Sequence, residues 1–170
     1  MGMDVYGRKP TTKEGEYFRN NVWWWKPLWA YCREVSTVAL KVKYGFSNDG
    51  DGLNAKDSRE LASDLQEELD SGRTVEFDIL RKEELAKLPR ETCSICGGTG
   101  IRTDGVGVAH GWPTKVVDEP GNPRHGMTGS CNGCGGWGSK EPWAANYPFS
   151  EENVREFVAF LRGCGGFEIN

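Results

Sequence analysis

The stretch FRNNVWWWKPLW, residues 18–29, contains four of the chain's seven tryptophans. Pro27 suits the first position of an α-helix, and the apolar residues after it recur at helical spacing, so a helix is predicted to begin there. The residues before Pro27 are predicted to be extended, with Trp23 and Trp25 on one face of a strand and Trp24 on the other. Because large aromatic side chains usually fill a core or an oligomer interface, at least one of the three is expected to be core.

The same stretch also holds the residue types that a site for a nucleotide-like ligand needs, namely aromatic faces, amides and cations. With two residues of a later turn, they form the predicted ligand-binding set: Arg19, Asn20, Asn21, Trp23, Trp25, Lys26, Asn48 and Asp49. The sequence offers no convincing catalytic set, which favours a non-enzymatic protein that binds a small anionic or nucleotide-like ligand or a host protein.

The chain has 170 residues, a net charge of −4 and a pI near 5.3. This acidic balance argues against nonspecific binding to nucleic acid, which needs a basic face. The N-terminus lacks the apolar run of a signal peptide, and no window approaches the roughly 20 apolar residues of a membrane span. We therefore expect a cytoplasmic protein that does not bind a membrane.

The clearest helix carries Leu61, Leu65 and Leu69 at every fourth position, and Asn54 or Asp57 can cap its start. Alternation predicts a half-buried strand over 74–80, TVEFDIL, followed by a short helix over 81–89, RKEELAKLP. A further helix capped by Ser150 is predicted before an edge strand at 166–170.

These elements predict an α+β fold: a small, mostly antiparallel sheet with about three helices and an inserted zinc-ribbon-like module. The predicted boundaries are 1–90 for the first part of the core, 91–142 for the module, and 143–170 for the helix and strand that complete the core.

The strongest chemical signal is a repeated pattern, CxxCGGxG, in CSICGGTG (93–100) and CNGCGGWG (131–138). Two residues between cysteines let both thiolates of a turn face one tetrahedral ion, and the glycines let backbone amides turn back toward sulfur. The predicted metal ligands are Cys93, Cys96, Cys131 and Cys134. Four thiolates without an open position indicate a structural Zn²⁺, with rubredoxin-type iron as the minor alternative.

The paired motifs resemble the zinc repeats of DnaJ-type co-chaperones over about a tenth of the chain. That resemblance implies two knuckles that hold one zinc ion in an extended, hairpin-like module. It does not imply co-chaperone activity, because this chain has no HPD motif.

A wider part of the chain resembles a group of small proteins encoded by phages and prophages. The resemblance lies in GMDVYG (2–7), GEYFRNNVWWWKPLW (15–29), NDGDGL (48–53) and the later CxxC pairs. It implies a setting in the host cytosol during infection and no particular chemistry. In that setting, a counter-defence factor that sequesters a nucleotide immune signal or binds a host protein is the leading hypothesis.

Two other functions stay open at the level of sequence. His110 and His125 lie between the cysteine pairs, and either could serve a metal-assisted nuclease or hydrolase. The zinc hairpin could instead be the contact surface of a structural adaptor. A homo-oligomer is compatible with each of these functions.

Overall fold

The computed structural model describes residues 2–170, which form two compact units. One unit is Lys87–Asn146, and the other combines the described residues that precede and follow it in sequence. The fold is α+β, as predicted. The strands are β1 (Gly2–Gly7), β2 (Tyr17–Asn21), β3 (Glu91–Thr92), β4 (Ser139–Lys140) and β5 (Phe167–Ile169), and the α-helices are α1 (Val22–Val35), α2 (Ala55–Asp70), α3 (Arg73–Lys87), α4 (Gly105–Ala109) and α5 (Glu151–Gly163). Short 3-10 helices cover Thr37–Lys41, Trp112–Thr114 and Trp143–Asn146.

The larger unit contains an antiparallel three-stranded sheet in the order β2–β1–β5. Val5 on β1 lies opposite Phe18 on β2 and opposite Ile169 on β5. All three side chains are buried. Because side chains on one face of a sheet follow every second residue, these positions mark the face that packs on the core.

Helix α1 begins at Val22, five residues before the predicted start at Pro27. The side-chain oxygen of Asn21 accepts hydrogen bonds from the backbone N–H groups of Trp23 and Trp24, at 3.0 and 3.1 Å. This cap starts the helix early, because asparagine at the N-cap satisfies amides that lack partners within the helix. The prediction of an extended stretch is confirmed for residues 18–21, which lie in β2, and is wrong for residues 22–26. The predicted helix start at Pro27 is also wrong.

The early start of α1 decides which tryptophans are core. Trp25 and Trp29 are four residues apart, so they share one face of the helix. Both side chains are fully buried, and their rings stack with centroids 5.5 Å apart. Phe157 of α5 meets the Trp25 ring edge-on at 5.6 Å. The core of this unit is therefore built around aromatic rings from the two ends of the chain.

Helix α2 follows the prediction closely. Asn54 is its N-cap, and its side-chain oxygen accepts hydrogen bonds from the backbone N–H groups of Lys56 and Asp57, both at 2.9 Å. Leu61 and Leu65 are fully buried on the face that packs against the core.

Helix α3 replaces two predicted elements. The predicted strand over 74–80 and the predicted short helix after it are one continuous helix that begins at Arg73, and the strand prediction is wrong. A strand needs a neighbour for its backbone hydrogen bonds, whereas a helix satisfies them within itself, and the strong helix formers after residue 80 favour its extension. Only Thr74 of this helix is buried, and its hydroxyl lies 3.0 Å from the hydroxyl of Tyr31.

The C-terminal elements agree with the prediction. Ser150 caps α5 through a hydrogen bond from the Asn153 N–H at 3.2 Å, and the helix ends at Gly163. Strand β5 follows on the edge of the sheet next to β1. No helix within residues 2–170 combines the length and apolar composition that crossing a bilayer requires.

Candidate metal centre

Two glycine-rich turns of the smaller unit bring the four predicted ligands together. The Sγ atoms of Cys93, Cys96, Cys131 and Cys134 all lie within 4.8 Å of one another. Those of Cys96 and Cys134 are 3.7 Å apart, close to the edge of about 3.8 Å in a tetrahedron with metal–sulfur bonds of about 2.3 Å. The four thiols can therefore hold one metal ion.

The two turns share one sequence pattern and pack closely against each other. A Cβ on Gly100 would lie 2.3 Å from the carbonyl oxygen of Gly136, and a Cβ on Gly138 would lie 2.3 Å from the carbonyl oxygen of Gly98. All four residues have positive φ, between 74° and 99°. Each turn thus uses glycine both for its own conformation and for close contact with the other turn.

Backbone amides of the two turns point at sulfur atoms, as the glycine pattern predicts. The N–H of Gly100 donates to Cys96 Sγ at 3.3 Å, and the N–H of Gly138 donates to Cys134 Sγ at 3.2 Å. Such hydrogen bonds favour the thiolate over the thiol, because the donor interacts more strongly with the charged form. The turns therefore prepare the sulfur atoms for a cation.

A short antiparallel ladder supports the cysteine turns. Thr92 on β3 lies opposite Ser139 on β4. The next residue, Cys93, donates its backbone N–H to the carbonyl oxygen of Gly138 at 2.9 Å. The ladder thus places Cys93, the first cysteine of one turn, beside Gly138, the last glycine of the other.

The thiols differ in how readily they ionise. Burial raises the pKa of Cys134 to about 12 and also raises the pKa of Cys131. At Cys93 burial is outweighed by the backbone N–H groups of Cys96 and Ile95, and the pKa falls to about 7. A bound metal must displace protons from Cys131 and Cys134, so metal affinity should rise with pH.

Side chains of the loop between the turns hold the second turn in place, which the sequence interpretation missed. Asn122 is buried, and its Nδ2 donates to the carbonyl oxygen of Gly135 at 3.0 Å. The indole N–H of Trp137 donates to a Glu119 carboxylate oxygen at 3.0 Å. Asparagine between glycine and proline is typical of a turn, but the pattern does not show which backbone atom the side chain reaches.

The two histidines stand apart from the cysteine cluster. His110 and His125 are both exposed, and among the described residues neither imidazole joins a group of side chains that could bind a metal. His110 is the C-cap residue of the short helix α4. A nuclease or hydrolase that uses either histidine remains a prediction.

The predicted ligand-binding residues before α1 have partners within the protein. Arg19 forms an ion pair with Asp4 at 3.7 Å. The Asn20 amide donates to the side-chain oxygen of Asn153 at 2.8 Å, and Asn21 caps α1. Asn20 also lines a shallow cavity of about 300 Å³ at the start of α5.

The remaining members of the set lie on α1 and in the later turn. Trp25 has no exposed surface and donates its indole N–H to the carbonyl oxygen of Gly45 at 2.7 Å, so its assignment to a ligand site is wrong. Trp23 packs on the ring of Tyr147, and Lys26 Nζ lies 5.4 Å from the centre of that ring.

The two polar residues of the later turn are also bonded. Asn48 donates its amide to the carbonyl oxygen of Gly2 at 3.1 Å, and Asp49 accepts a hydrogen bond from the Ser47 hydroxyl. These bonds fasten the turn, and a role for Asn48 and Asp49 in ligand binding remains a prediction.

No family model matches the chain, and neither the curated proteins nor the solved structures compared with it include a match. The fold and the cysteine geometry therefore carry the functional argument.

Proposed function

We propose that this chain is a zinc-stabilised binding protein without catalytic activity. The observation that carries the proposal is the cluster of four cysteine thiols within 4.8 Å. Zinc with four thiolate ligands has no free position for water or substrate, which is typical of structural sites. The metal would supply folding free energy to a unit that is rich in glycine turns.

The proposed ligand is a small anionic or nucleotide-like molecule or a host protein. The resemblance to phage and prophage proteins supports a counter-defence role in the host cytosol. A structural metal centre also suits such a role, because sequestering a signal or blocking a partner requires affinity and no chemical step.

Metal content tests the first part of the proposal. We expect one zinc ion per chain purified from cells, and intense visible bands of tetrahedral Co²⁺ after replacement. Cys96→Ser and Cys134→Ser should lose the metal and the order of the smaller unit. Cys32→Ala is the matched control, because Cys32 is a buried thiol of the other unit and should leave metal content unchanged. An absorption spectrum typical of iron–sulfur, or full zinc content in both serine variants, would refute the assignment.

Native mass spectrometry of protein from infected host lysate tests the second part. A co-purifying small molecule or host protein at a fixed ratio supports binding. Measured turnover of a nucleic acid or ester substrate that disappears in His110→Ala or His125→Ala would favour the hydrolytic alternative.

The adaptor alternative has an observation of its own. Five large apolar side chains of the smaller unit are more than half exposed: Val106, Val108, Val116, Met127 and Trp143. A Val108→Ser and Met127→Ser double variant should keep its zinc and lose an identified protein partner if these exposed side chains make the contact.

A further inference from the structure

The larger unit contains a polar groove between α2 and α5, with a volume of about 480 Å³. Arg59 and Ser63 line it from α2, and Arg162 lines it from the last turn of α5. Arg59 and Ser63 are four residues apart and so share one face of α2. Two guanidinium groups and a hydroxyl therefore line the groove.

These two arginines are not neutralised within the protein. Among residues 2–170, neither Arg59 nor Arg162 has a carboxylate partner in an ion pair, whereas six other arginines of the chain do. Arg162 donates instead to the side-chain oxygen of Gln66 at 2.8 Å. That bond to a neutral amide orients the guanidinium while leaving its charge and most of its donors for another group.

Arg59 acts at the same end of α5. Burial raises the pKa of Cys164, the residue after the helix, and the positive charge of Arg59 works against that shift. The guanidinium of Arg59 therefore lies within electrostatic range of Cys164, at the end of α5 that carries Arg162.

The two carboxylates of the groove have partners other than Arg59 and Arg162. Glu67 lies 3.4 Å from the guanidinium of Arg73, and Asp70 accepts a hydrogen bond from the Gln66 amide at 2.7 Å. Gln66 thus bridges the Arg162 guanidinium and the Asp70 carboxylate, and groups of both charges line the groove.

We propose that this groove binds the phosphate of a phosphorylated small molecule, with Arg59 and Arg162 as a clamp and Ser63 as a third donor. Guanidinium groups suit phosphate because their donors match pairs of phosphate oxygens. The volume exceeds that of phosphate alone, and hydroxyl or amino groups of the ligand can donate to Glu67 and Asp70. This proposal rests on the proposed binding function and moves its anionic ligand from the stretch before α1 to the α2–α5 groove.

Calorimetric titration of the zinc-loaded full chain in phosphate-free buffer tests the proposal, with backbone amide NMR shifts to locate binding. The probes are inorganic phosphate, a nucleoside 5′-monophosphate and the same nucleoside without phosphate. We expect saturable binding of both phosphate-containing probes, with the monophosphate tighter, and none of the nucleoside. Phosphate alone binding as tightly as the monophosphate would overturn the larger ligand class, and no saturable binding of either would overturn the site.

Variants separate the clamp from general charge effects. Arg59→Gln and Arg162→Gln should each weaken binding by ~10-fold or more, because each removes charge-assisted hydrogen bonds. Arg155→Gln is the matched control, since Arg155 lies on α5 and pairs with Glu151 outside the groove, and it should change affinity less than about twofold.

A fourth variant introduces an opposing charge without removing an arginine. Ser63→Asp places a carboxylate in the groove, on the face of α2 that carries Arg59, and should abolish phosphate binding, while zinc content and thermal stability stay unchanged. If Arg162→Gln only lowers the melting temperature, Arg162 merely stabilises the end of α5 and the clamp is refuted. A co-purifying ligand whose affinity survives the Arg59→Gln and Arg162→Gln double variant would refute the groove and leave the binding function standing.

Discussion

Replacing Gly138 by alanine tests whether contact between the two cysteine turns sets metal affinity. A Cβ at this position would lie 2.3 Å from the carbonyl oxygen of Gly98, about 1.1 Å inside the 3.4 Å at which ordinary contacts begin. Relief requires a backbone shift of the turn that carries Cys96 or of the turn that carries Cys134. Either shift exceeds the tolerance of about 0.2 Å for zinc–ligand distances.

Gly97→Ala is the matched control for Gly138→Ala. Gly97 also has positive φ, at 58°, but a Cβ there would meet nothing within 4 Å. The control therefore carries only the backbone cost of about 1–2 kcal/mol, which corresponds to a ~5- to 30-fold loss of affinity if it falls wholly on the bound state. Gly138→Ala should carry this cost and the steric cost together, so we expect zinc affinity to fall at least ten times further.

Competition with a chromophoric chelator at pH 7.5 measures both affinities, and circular dichroism checks that the α-helices remain. Equal zinc affinity of the Gly138→Ala and Gly97→Ala proteins would refute the reasoning, because it would mean that the turns can separate without disturbing the thiolates. Gly100→Ala provides an independent repeat, since its Cβ would meet the carbonyl oxygen of Gly136 at the same distance of 2.3 Å.

Three further predictions concern the core, a helix cap and pH. Trp25→Ala should lower the free energy of unfolding by ~3–5 kcal/mol in urea titration, because the fully buried ring stacks on Trp29; a loss below 1 kcal/mol would contradict its place in the core. Asn54→Ala should cost ~1 kcal/mol in the same assay, because α2 loses its cap, whereas Asn54→Asp should cost little. Zinc affinity should fall as pH drops from 8 to 6, because the thiols with raised pKa, Cys131 and Cys134, must lose protons to bind the metal. Chelator competition at each pH measures this affinity, and an affinity that does not change with pH would contradict the linkage.

The cluster of four thiols and several helix ends follow from short-range patterns. The CxxCGGxG spacing suffices to predict which four thiols lie together, because two residues between cysteines and the following glycines determine the local path of each turn. Asn54 and Ser150 mark helix starts for the same reason, since a cap acts on amides only two or three residues away. These predictions agree with the folded structure because the interacting groups are close in sequence.

Local patterns did not resolve the start of α1 or the state of residues 74–80. Pro27 is compatible with the first position of a helix, and Asn21 is also a strong cap, so two starts compete. The Asn21 start places Trp25 and Trp29 together in the aromatic core, and packing of that core selects between the two. The alternating pattern of residues 74–80 is compatible with a strand. The helix formers after residue 80 favour instead one helix, α3, that includes these residues.

The groove between α2 and α5 illustrates what pattern alone cannot supply. Arg59 and Arg162 stand about a hundred residues apart in sequence, and neither has an unusual local context. Only the packing of α2 against α5 places both on one groove. Sequence patterns determine structure over a few residues, where hydrogen bonds and backbone angles are local; tertiary packing determines which distant charges and rings meet, because that depends on how whole helices bury their apolar faces.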